Sequence, residues 1–493
     1  MTQIFRMMKK TIQLFVGLIV FLTVFDSNPV LAQEVWTLEK CINYARENNI
    51  SLKQSMISVG QANINLKANK AQRIPSLNYN TSAGYQWGRT IDYGTNTYVN
   101  ESTNFNSHSI QAGINLYNGG QVSNSIRQSG IDLMAARKDS EQLMENISLT
   151  IATQYLTILL AQEAVEIAKK RLETSKKQLD QTDKLISAGS LPKNERLMIQ
   201  ATVATDEENL LIQQNNVDLG YLDLKNLLNL DPATDMTIKK PEVDQFLIDN
   251  TLLTNVEELF KKSADRNPGV AANNLKIESA RIGKKIASST GLPSLDIFGS
   301  FNTNYSSSIL DLLHPDLSNL KEELSNPTKV NINGMDVFIA TYNKKGISYP
   351  SKPYFSQLQD NLGQSLGLSL RIPIYNAGIT HYNKQRADLA IKLAELNSDL
   401  TKQQLKNQIY RAVTDYKAAR LRVEVAQREN EAAQGSFVNL QKKYDAGASN
   451  SLELITAKNN ADAAEDNLLT ARYSLIFRTK VLEYYMGQPI QLN

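Results

Sequence analysis

The stretch that decides the fold occurs twice, first as Arg73-Ile74-Pro75-Ser76-Leu77-Asn78-Tyr79 and again as Gly291-Leu292-Pro293-Ser294-Leu295-Asp296-Ile297. The first pair is offset by about 218 residues and the later motif pairs by about 258, so the two copies are collinear apart from an insertion of about 40 residues. The sequence therefore predicts one elongated unit of two repeats, residues 33–240 and residues 241–493. The later motif pairs are Tyr117-Asn118-Gly119-Gly120 with Tyr375-Asn376-Ala377-Gly378, Ser187-Ala188-Gly189 with Asp445-Ala446-Gly447, and Glu208-Asn209-Leu210-Leu211 with Asp466-Asn467-Leu468-Leu469.

Each repeat is predicted to contain a first helix, two strands, a long helix and a return helix. The first helix begins after Thr37 or Asn255, because each is a good N-cap residue and is followed by acidic residues. It is expected to continue without a break until Pro75 or Pro293, since proline cannot continue a helix.

The long helices are predicted from the absence of proline. None occurs between Pro75 and Pro192, or between Pro373 and Pro489. The run from about residue 120 to residue 188 would extend roughly 100 Å at 1.5 Å per residue, far more than a globular core needs.

A coiled-coil seam runs along each long helix, with residues at alternating spacings of three and four. An ordinary helical bundle explains this periodicity equally well, so only the strands separate the two interpretations. The predicted seam residues are Val165, Ala168, Leu172, Ser175, Leu179, Thr182 and Ile186 in the first repeat, and Val423, Ala426, Asn430, Ala433, Phe437, Leu440 and Tyr444 in the second.

Four segments alternate apolar and polar residues in the way that transmembrane barrel strands do, with one face toward lipid and the other toward a lumen. Phe298 is out of phase, and the aromatic residues Tyr85, Trp87, Tyr93 and Tyr305 suit the interfacial girdles of such a barrel. The edge of a soluble β-sandwich is the alternative, although four strands are too few to build one. The apolar positions are Leu77, Tyr79, Ala83, Tyr85 and Trp87; Ile110, Ala112, Ile114 and Leu116; Leu295, Ile297 and Phe301; and Leu366, Leu368, Leu370, Ile372 and Ile374.

Four strands cannot close a barrel, and an open sheet edge in hydrocarbon leaves backbone groups unsatisfied. The chain must therefore assemble. Two copies would give eight strands and a filled interior, whereas three would give twelve strands and an open lumen. The strand connections, residues 90–106 and the enlarged 306–360, are rich in polar and turn-forming residues and are predicted to be surface loops.

The N-terminus has the pattern of a signal peptide. Arg6, Lys9 and Lys10 precede an apolar run of about 14 residues, shorter than the roughly 18 that favour a spanning helix. We expect cleavage after Ala32, which makes residues 1–32 the signal peptide and leaves a mature chain without a transmembrane helix.

Composition argues against several other function classes. A formal charge of +3 in 493 residues gives no reason to expect a nucleic-acid partner. The single cysteine, Cys41, rules out an intrachain disulfide and is interpreted as a small buried helix residue. His108, His314 and His381 lack the spacing of metal ligands, and no catalytic constellation or cofactor motif is found, so neither an enzyme nor a metal site is predicted.

In their order within both repeats, the motifs resemble the TolC-like outer-membrane efflux proteins. The resemblance rests on the start Trp36-Thr37-Leu38-Glu39-Lys40-Cys41, the Pro-Ser-Leu strand entries, the Tyr-Asn-Gly strand exits and the Ala-Gly helix turns. It implies a mixed α/β membrane protein, a homotrimer in which each subunit gives four strands to a shared 12-stranded barrel in the outer membrane of a Gram-negative bacterium. Long antiparallel coiled-coil helices would continue it as a periplasmic tunnel. The implied partners are outer-membrane lipid, a periplasmic adaptor (membrane fusion) protein and an inner-membrane pump.

The resemblance also assigns site residues at the helix turns. The family's periplasmic constriction corresponds to Glu453 and Thr456, of which Thr456 departs from the acidic pattern; an ordinary solvated carboxylate is the alternative for Glu453. Gly189 and Gly447 close the turns. The remaining gating positions are Tyr444, Glu195 and Ser449, and Ser449 stands where a basic residue is expected.

These features predict an outer-membrane channel subunit of a tripartite efflux or type I secretion system. In such a system the channel is a passive duct for export. The alternative is a periplasmic coiled-coil scaffold, or an adhesin-like stalk, without channel activity.

Overall fold

The computed structural model describes residues 35–92, 97–240 and 255–488. The predicted signal peptide and the girdle residue Tyr93 lie outside these ranges. In the first half of the chain the elements are β1 (Val35–Trp36), α1 (Leu38–Asn48), α2 (Ile50–Ala71), β2 (Ser76–Asp92), β3 (Thr97–Asn118), α3 (Gln121–Ser187), α4 (Asn194–Leu228) and β4 (Thr237–Ile238). In the second half they are α5 (Val256–Arg266), α6 (Pro268–Ser289), β5 (Ser294–Ser306), β6 (Lys321–Leu324), β7 (Thr328–Ile332), β8 (Met335–Ile339), β9 (Tyr342–Lys345), α7 (Tyr354–Asp360), β10 (Gly363–Arg371), α8 (Ile379–Asp445) and α9 (Ser451–Tyr485).

Equivalent helices in the two halves have equal lengths. Helices α1 and α5 have 11 residues, α2 and α6 have 22, α3 and α8 have 67, and α4 and α9 have 35. The duplication read from the motifs thus extends to the length of each helix, and the two long helices match the predicted run.

The prediction of one unbroken first helix was wrong in both repeats. Asn49 separates α1 from α2, and Asn267 separates α5 from α6. Both have an extended backbone, with ψ of 127° at Asn49 and 121° at Asn267. Both asparagines cap the following helix, since the Oδ1 atom of Asn49 accepts from Leu52 N–H at 3.2 Å and that of Asn267 from Val270 N–H at 2.9 Å. Pro268 then occupies the first turn of α6, where a missing N–H costs nothing.

The described residues fall into two compact units that cut across the predicted repeats, which remain a division of the sequence. One unit takes its residues from Met1–Val59, Ala135–Asn274 and Asn397–Asn493, and the other from Gly60–Met134 and Leu275–Leu396. The first is mainly helical. The second contains the ends of several helices and a four-stranded antiparallel sheet in the order β10-β5-β3-β2.

The four-stranded sheet has one apolar and one polar face, as the alternation predicts. One row across all four strands on the apolar face contains Leu77, Ala112, Gly299 and Leu366. The adjacent row along the strands lies on the polar face. The apolar face is open, with Leu366 84% and Trp87 75% exposed. One row of the polar face contains Asn78, Gln111, Ser300 and Ser365.

Phe298, which is out of phase in the sequence, has a packing reason. It lies on the polar face directly opposite Gly367 in β10. A Cβ added at Gly367 would come within 2.6 Å of the Phe298 ring, so the ring occupies the space that the glycine leaves. The aromatic ring thus covers a position where the neighbouring strand has no side chain.

Parts of the strand boundaries and both predicted loops need correction. Residues 90–106 are largely strand, because β2 and β3 form a hairpin paired from Ser76 with Gly113 to Asp92 with Thr97. Residues 306–360 contain two short two-stranded sheets, β6-β9 and β7-β8, and helix α7. Ile372 and Ile374 lie beyond the end of β10, where Pro373 removes a backbone donor.

The main core lies in the helical unit, around the small parallel pair of β1 and β4. Tyr155 of α3 is 1% exposed, and its hydroxyl lies 3.0 Å from the Trp36 carbonyl and 2.7 Å from that of Lys239. This single side chain ties the long helix to both short strands. The cluster includes Trp36, Leu38, Cys41, Ala45, Ile151, Ile158, Leu159, Leu224, Leu228, Ile238, Tyr473 and Ile476.

The predicted seam positions lie on the buried side of each long helix, as a coiled coil and an ordinary helical bundle both require. Every seam position of α3 and α8 is buried or half-buried, whereas intervening positions such as Lys177 and Glu429 are exposed. Over the residues that the structure describes, no helix is both apolar enough and long enough to span a bilayer.

Gly119 closes the exit from β3 and has two reasons to be glycine. Its φ is 65°, and a Cβ there would lie 2.6 Å from the Leu292 Cβ and 3.0 Å from the Ser289 carbonyl oxygen. Its repeat equivalent, Ala377, also has positive φ (52°), so the left-handed backbone alone is tolerated. The close approach of Leu292 is what distinguishes Gly119.

We predict that Gly119→Ala destabilises the protein by about 2 kcal/mol or more, because strain and overpacking add. Thermal unfolding in detergent, followed by circular dichroism, measures the change. Gly130→Ala is the matched control, since Gly130 lies within α3 with nothing within 4 Å of an added Cβ. This control should stabilise by about 0.5–1 kcal/mol. Equal midpoints for the two variants would contradict the packing argument.

Cys41 is fully buried in α1, in agreement with the interpretation of this residue as a small buried side chain. Burial raises the pKa of its thiol to about 12, although the nearby Lys40 charge acts in the opposite direction. The reactive thiolate is therefore scarce near neutral pH.

We expect Cys41 in the folded protein to resist a maleimide at pH 8 and to react promptly after denaturation. Mass spectrometry of the labelled protein gives the measurement directly, since there is only one cysteine in the sequence. Rapid labelling of the native protein would show that α1 opens or that the thiol is accessible.

Candidate functional site

The two long helices end in equivalent reversals, each closed by a glycine. Gly189 follows α3 with φ 76°, and Gly447 follows α8 with φ 72°. In both turns the glycine N–H donates to the carbonyl three residues earlier, and the next N–H donates to the carbonyl five residues earlier. This is the Schellman arrangement, which requires a left-handed residue. The predicted role of both glycines as helix-turn residues has this geometric basis.

Helix α9 begins directly after the second turn and presents Glu453 in its first turn. Asn450 caps the helix, because its Oδ1 atom accepts from the Glu453 N–H at 2.9 Å. Ser449 donates its hydroxyl to the Glu453 carboxylate at 2.6 Å. Glu453 and Thr456 are both exposed on α9. A carboxylate is favoured at this position by the positive end of the helix dipole.

Glu195 is the repeat equivalent of Glu453 but has a different environment. It lies in the first turn of α4, is half-buried, and accepts hydrogen bonds from both the hydroxyl and the backbone N–H of Ser451, the latter at 3.3 Å. Glu195 therefore joins the start of α4 to the start of α9. Glu453 leaves its carboxylate open to solvent.

Tyr444 forms a third polar contact at the turns. It is fully buried near the end of α8, and its hydroxyl lies 3.2 Å from that of Thr182 on α3. Burial raises the pKa of Tyr444, and the Glu195 carboxylate adds to the rise, while the hydrogen bond with Thr182 lowers it. The neutral phenol thus persists well above neutral pH.

The structure brings the predicted site residues together in pairs. Ser449 contacts Glu453, so the position expected to hold a base instead provides a hydroxyl donor. Glu195 and Tyr444 each bridge the two repeats through partners that the sequence did not indicate, Ser451 and Thr182. The constriction role of Glu453 and Thr456 stays a prediction at this point.

Comparison with known proteins places this fold. The sequence profile described as outer membrane efflux protein matches residues 41–230 and 351–488, well over half of the chain. The chain belongs to the outer membrane efflux protein family. The family assignment made from the repeated motifs is therefore confirmed, and with it an outer-membrane channel class that functions in efflux. Among curated proteins, none matches the sequence.

Solved structures show the same fold for this efflux protein. A crystal structure of CusC, described in terms of folding and transmembrane channel formation, has a TM-score of 0.71 at 16% identity and covers 94% of this chain and 96% of its own. The outer membrane protein VceC of Vibrio cholerae has a TM-score of 0.69 at 16% identity, with coverage of 92% and 97%. The CmeC outer membrane channel of Campylobacter jejuni has a TM-score of 0.70 at 16% identity, with coverage of 92% and 86%.

A buried charge cluster in the efflux protein was missed by the sequence interpretation. The Lys458 side chain on α9 is 3% exposed, and its Nζ atom lies 3.0 Å from Asp206 Oδ2 on α4 and 2.8 Å from Asp462 Oδ2. Asp206 also accepts a hydrogen bond from Ser175 of α3. The cluster therefore connects α9 to α3 and α4 of the first repeat.

Arg171 of α3 extends the cluster along α9. Its guanidinium contacts Asp462 at 3.2 Å, Glu465 at 3.1 Å and Asp466 at 2.9 Å. Burial by itself lowers the pKa of Arg171, but the hydrogen bond to Asp466 and the charge of Asp462 raise it overall. With Lys458 and Asp206 included, two cations meet four carboxylates between the repeats.

We predict that Lys458→Met destabilises the protein by about 3 kcal/mol, because it leaves Asp206 buried without its cation. Thermal or denaturant unfolding in detergent measures the loss. Lys177→Met is the control, since Lys177 and its partner Glu173 are 75% and 66% exposed and their pair should contribute less than about 1 kcal/mol.

The double variant Lys458→Met, Asp206→Leu should recover much of that stability, since both buried charges are gone. If the single and double variants lose the same amount, the Lys458–Asp206 pair is not the reason for the effect.

Proposed function

We propose that this efflux protein is the outer-membrane channel subunit of a tripartite efflux or type I secretion system. It acts as a passive duct, and the energy for export comes from an inner-membrane pump joined to it by a periplasmic adaptor protein. The strands lie in the outer membrane of a Gram-negative bacterium and the long helices extend into the periplasm. The carrying observation is the four-stranded sheet, with its exposed apolar face and two open edges.

The edges of the sheet favour closure between identical copies. Over the described residues, β2 and β10 each lack a strand on their outer side. Every neighbouring pair in the sheet is antiparallel, so β2 and β10 run in opposite directions. Strand β10 of one copy can therefore continue the antiparallel pattern with β2 of the next, and the ring closes without an edge. Three copies give twelve strands and an open lumen, which a duct needs.

Exposed leucines on α8 support the same assembly. Leu389, Leu393, Leu396 and Leu400 follow spacings of four and three, and each is more than half exposed. This is the spacing of a helix–helix seam, and a soluble chain rarely leaves such a stripe in water. In the trimer, neighbouring helices cover it.

Glu453 is proposed to line the constriction at the periplasmic end, with Thr456 one helical turn further along α9. Three copies would bring three Glu453 carboxylates toward one axis, which attracts cations and repels anions. Two features favour this role. Glu453 and Thr456 are exposed, and the neighbour of the Glu453 carboxylate is the neutral donor Ser449 and not a positively charged residue.

The test is electrical. The purified protein, reconstituted in a planar bilayer, should conduct, and under a salt gradient its reversal potential should indicate a preference for cations. Glu453→Gln should shift that potential toward zero without abolishing conductance, because the ring charge is removed and the fold is unchanged. Glu173→Gln is the control, an exposed carboxylate on the long helix α3.

Conductance that is absent from a correctly folded, membrane-inserted trimer would overturn the channel proposal and favour the scaffold alternative. An unchanged reversal potential in Glu453→Gln would leave the channel in place and remove Glu453 from its constriction.

A further inference from the structure

Strand β10 is shorter than its neighbour β5, and this leaves part of a sheet edge without a strand. Pairing between them begins with Gly363 opposite Asn302, so β5 continues to Ser306 with no β10 residue beside it. Ser307 N–H donates to Asn104 of β3, and backbone groups alternate between the two edges of a strand. The backbone groups of Asn304 and Ser306 therefore point toward the uncovered edge.

Helix α7 supplies the missing partners with side chains. Gln357 is 1% exposed, and its amide accepts from Ser306 N–H at 3.0 Å and donates to the Ser306 carbonyl at 3.0 Å. Asn361 donates to the Asn304 carbonyl at 2.8 Å. Two amide side chains thus replace the strand for three backbone groups and cover part of the edge where β10 has ended.

The same helix lies over the apolar face of the sheet. Thr303, on that face, donates to the Leu358 carbonyl at 2.7 Å. The Tyr354 ring packs against Tyr305 with centroids 4.9 Å apart, and its hydroxyl lies 2.9 Å from Nε2 of His108, a neighbour of Thr303 across the strands. Helix α7 is therefore attached to the face that the proposed function turns toward lipid.

The exposed side of α7 presents one large apolar side chain, Phe355, beside Gln359 and Asp360, and it carries no unbalanced charge. Phe355 is 82% exposed and packs edge-on against Tyr354. The charged residues of this segment, Lys352 and Asp360, form an ion pair with each other. An exposed aromatic ring beside tyrosine hydroxyls is the pattern of residues at a membrane–water interface.

We propose that α7 is a membrane-interface element, which seals the outer end of the β5 edge and docks Phe355 and Tyr354 into the headgroup region of the outer leaflet. This inference rests on the proposed function, because it takes the apolar face of the sheet to be the lipid-facing one. Two observations select lipid as the occupant. The patch is continuous with that face, and three backbone groups of the β5 edge are satisfied within the protein, which matters where water is scarce.

The experiment uses tryptophan emission from the full-length protein in phosphatidylcholine vesicles brominated either near the glycerol end of the chains or near the bilayer centre. The natural tryptophans provide the reference. Trp36 is buried in the helical core and should respond to neither lipid, whereas Trp87 is exposed on the apolar face. Comparison of the natural protein with Trp87→Phe isolates the emission of Trp87.

Phe355→Trp, made in the Trp87→Phe background, reports on α7. Its emission should lose more intensity to the shallow bromines than to the deep ones, and little to aqueous iodide. Phe338→Trp in the same background is the matched control. Phe338 is an exposed phenylalanine in β8, within the same enlarged connection between β5 and β10, and a tryptophan there should be quenched mainly by iodide.

The outcomes separate the two proposals. In one outcome, brominated lipid quenches Trp87 but quenches a tryptophan at position 355 no more than one at position 338. This result overturns the role of α7 and leaves the channel proposal in place. A tryptophan at position 355 that responds to neither quencher also overturns it, since a protein surface would then cover the ring. Failure of the same protein to conduct in a planar bilayer would instead overturn the proposed function, so the two failures are distinguishable.

Discussion

The structure depends on one constraint: backbone N–H and C=O groups need partners wherever water cannot provide them. The four-stranded sheet meets this need internally for β3 and β5 but not at β2 and β10, whose outer edges are open over the described residues. The proposed trimer, the alternating strand directions and the amide side chains of Gln357 and Asn361 are three answers to the same requirement. The long helices satisfy this requirement with their own backbone hydrogen bonds, so this part of the chain needs no pairing with further strands.

Duplication gave the protein two nearly identical frames, and divergence within them created its polar sites. Glu195 and Glu453 occupy equivalent positions, yet one carboxylate is bonded to Ser451 across the repeats while the other remains open. The buried cluster is similarly one-sided, since the equivalents of Asp206 and Arg171 are Ala464 and Glu429. The helix that carries Glu453, α9, is thus bound to the first repeat by these contacts. The equivalent contacts cannot form for α4, because the second repeat lacks the equivalent charged residues.

Much of the fold could be predicted because it is written in local patterns. Alternation placed the four strands, the lack of proline placed the long helices, and repeated motifs identified the family. The breaks at Asn49 and Asn267 could not be seen, since asparagine is tolerated in helices and its capping role appears only with the fold. The ion pair of Lys458 with Asp206 joins residues 252 positions apart, so no spacing rule reveals it. Residues 97–106 looked like a loop because their composition is polar, whereas pairing with β2 makes them strand.

Helices α3 and α8 have 67 residues each, and their equal lengths keep the two helix turns in register. If one of them gained or lost residues alone, its turn would shift by 1.5 Å per residue against the other, and the contacts of Tyr444 and Glu195 would be out of step. The length of these hairpins can therefore change only if both halves of the gene gain or lose the same number of residues. Steps of seven residues would also keep the seam in phase. The length of the helical hairpins is therefore adjustable in paired increments of roughly 10 Å, and not continuously.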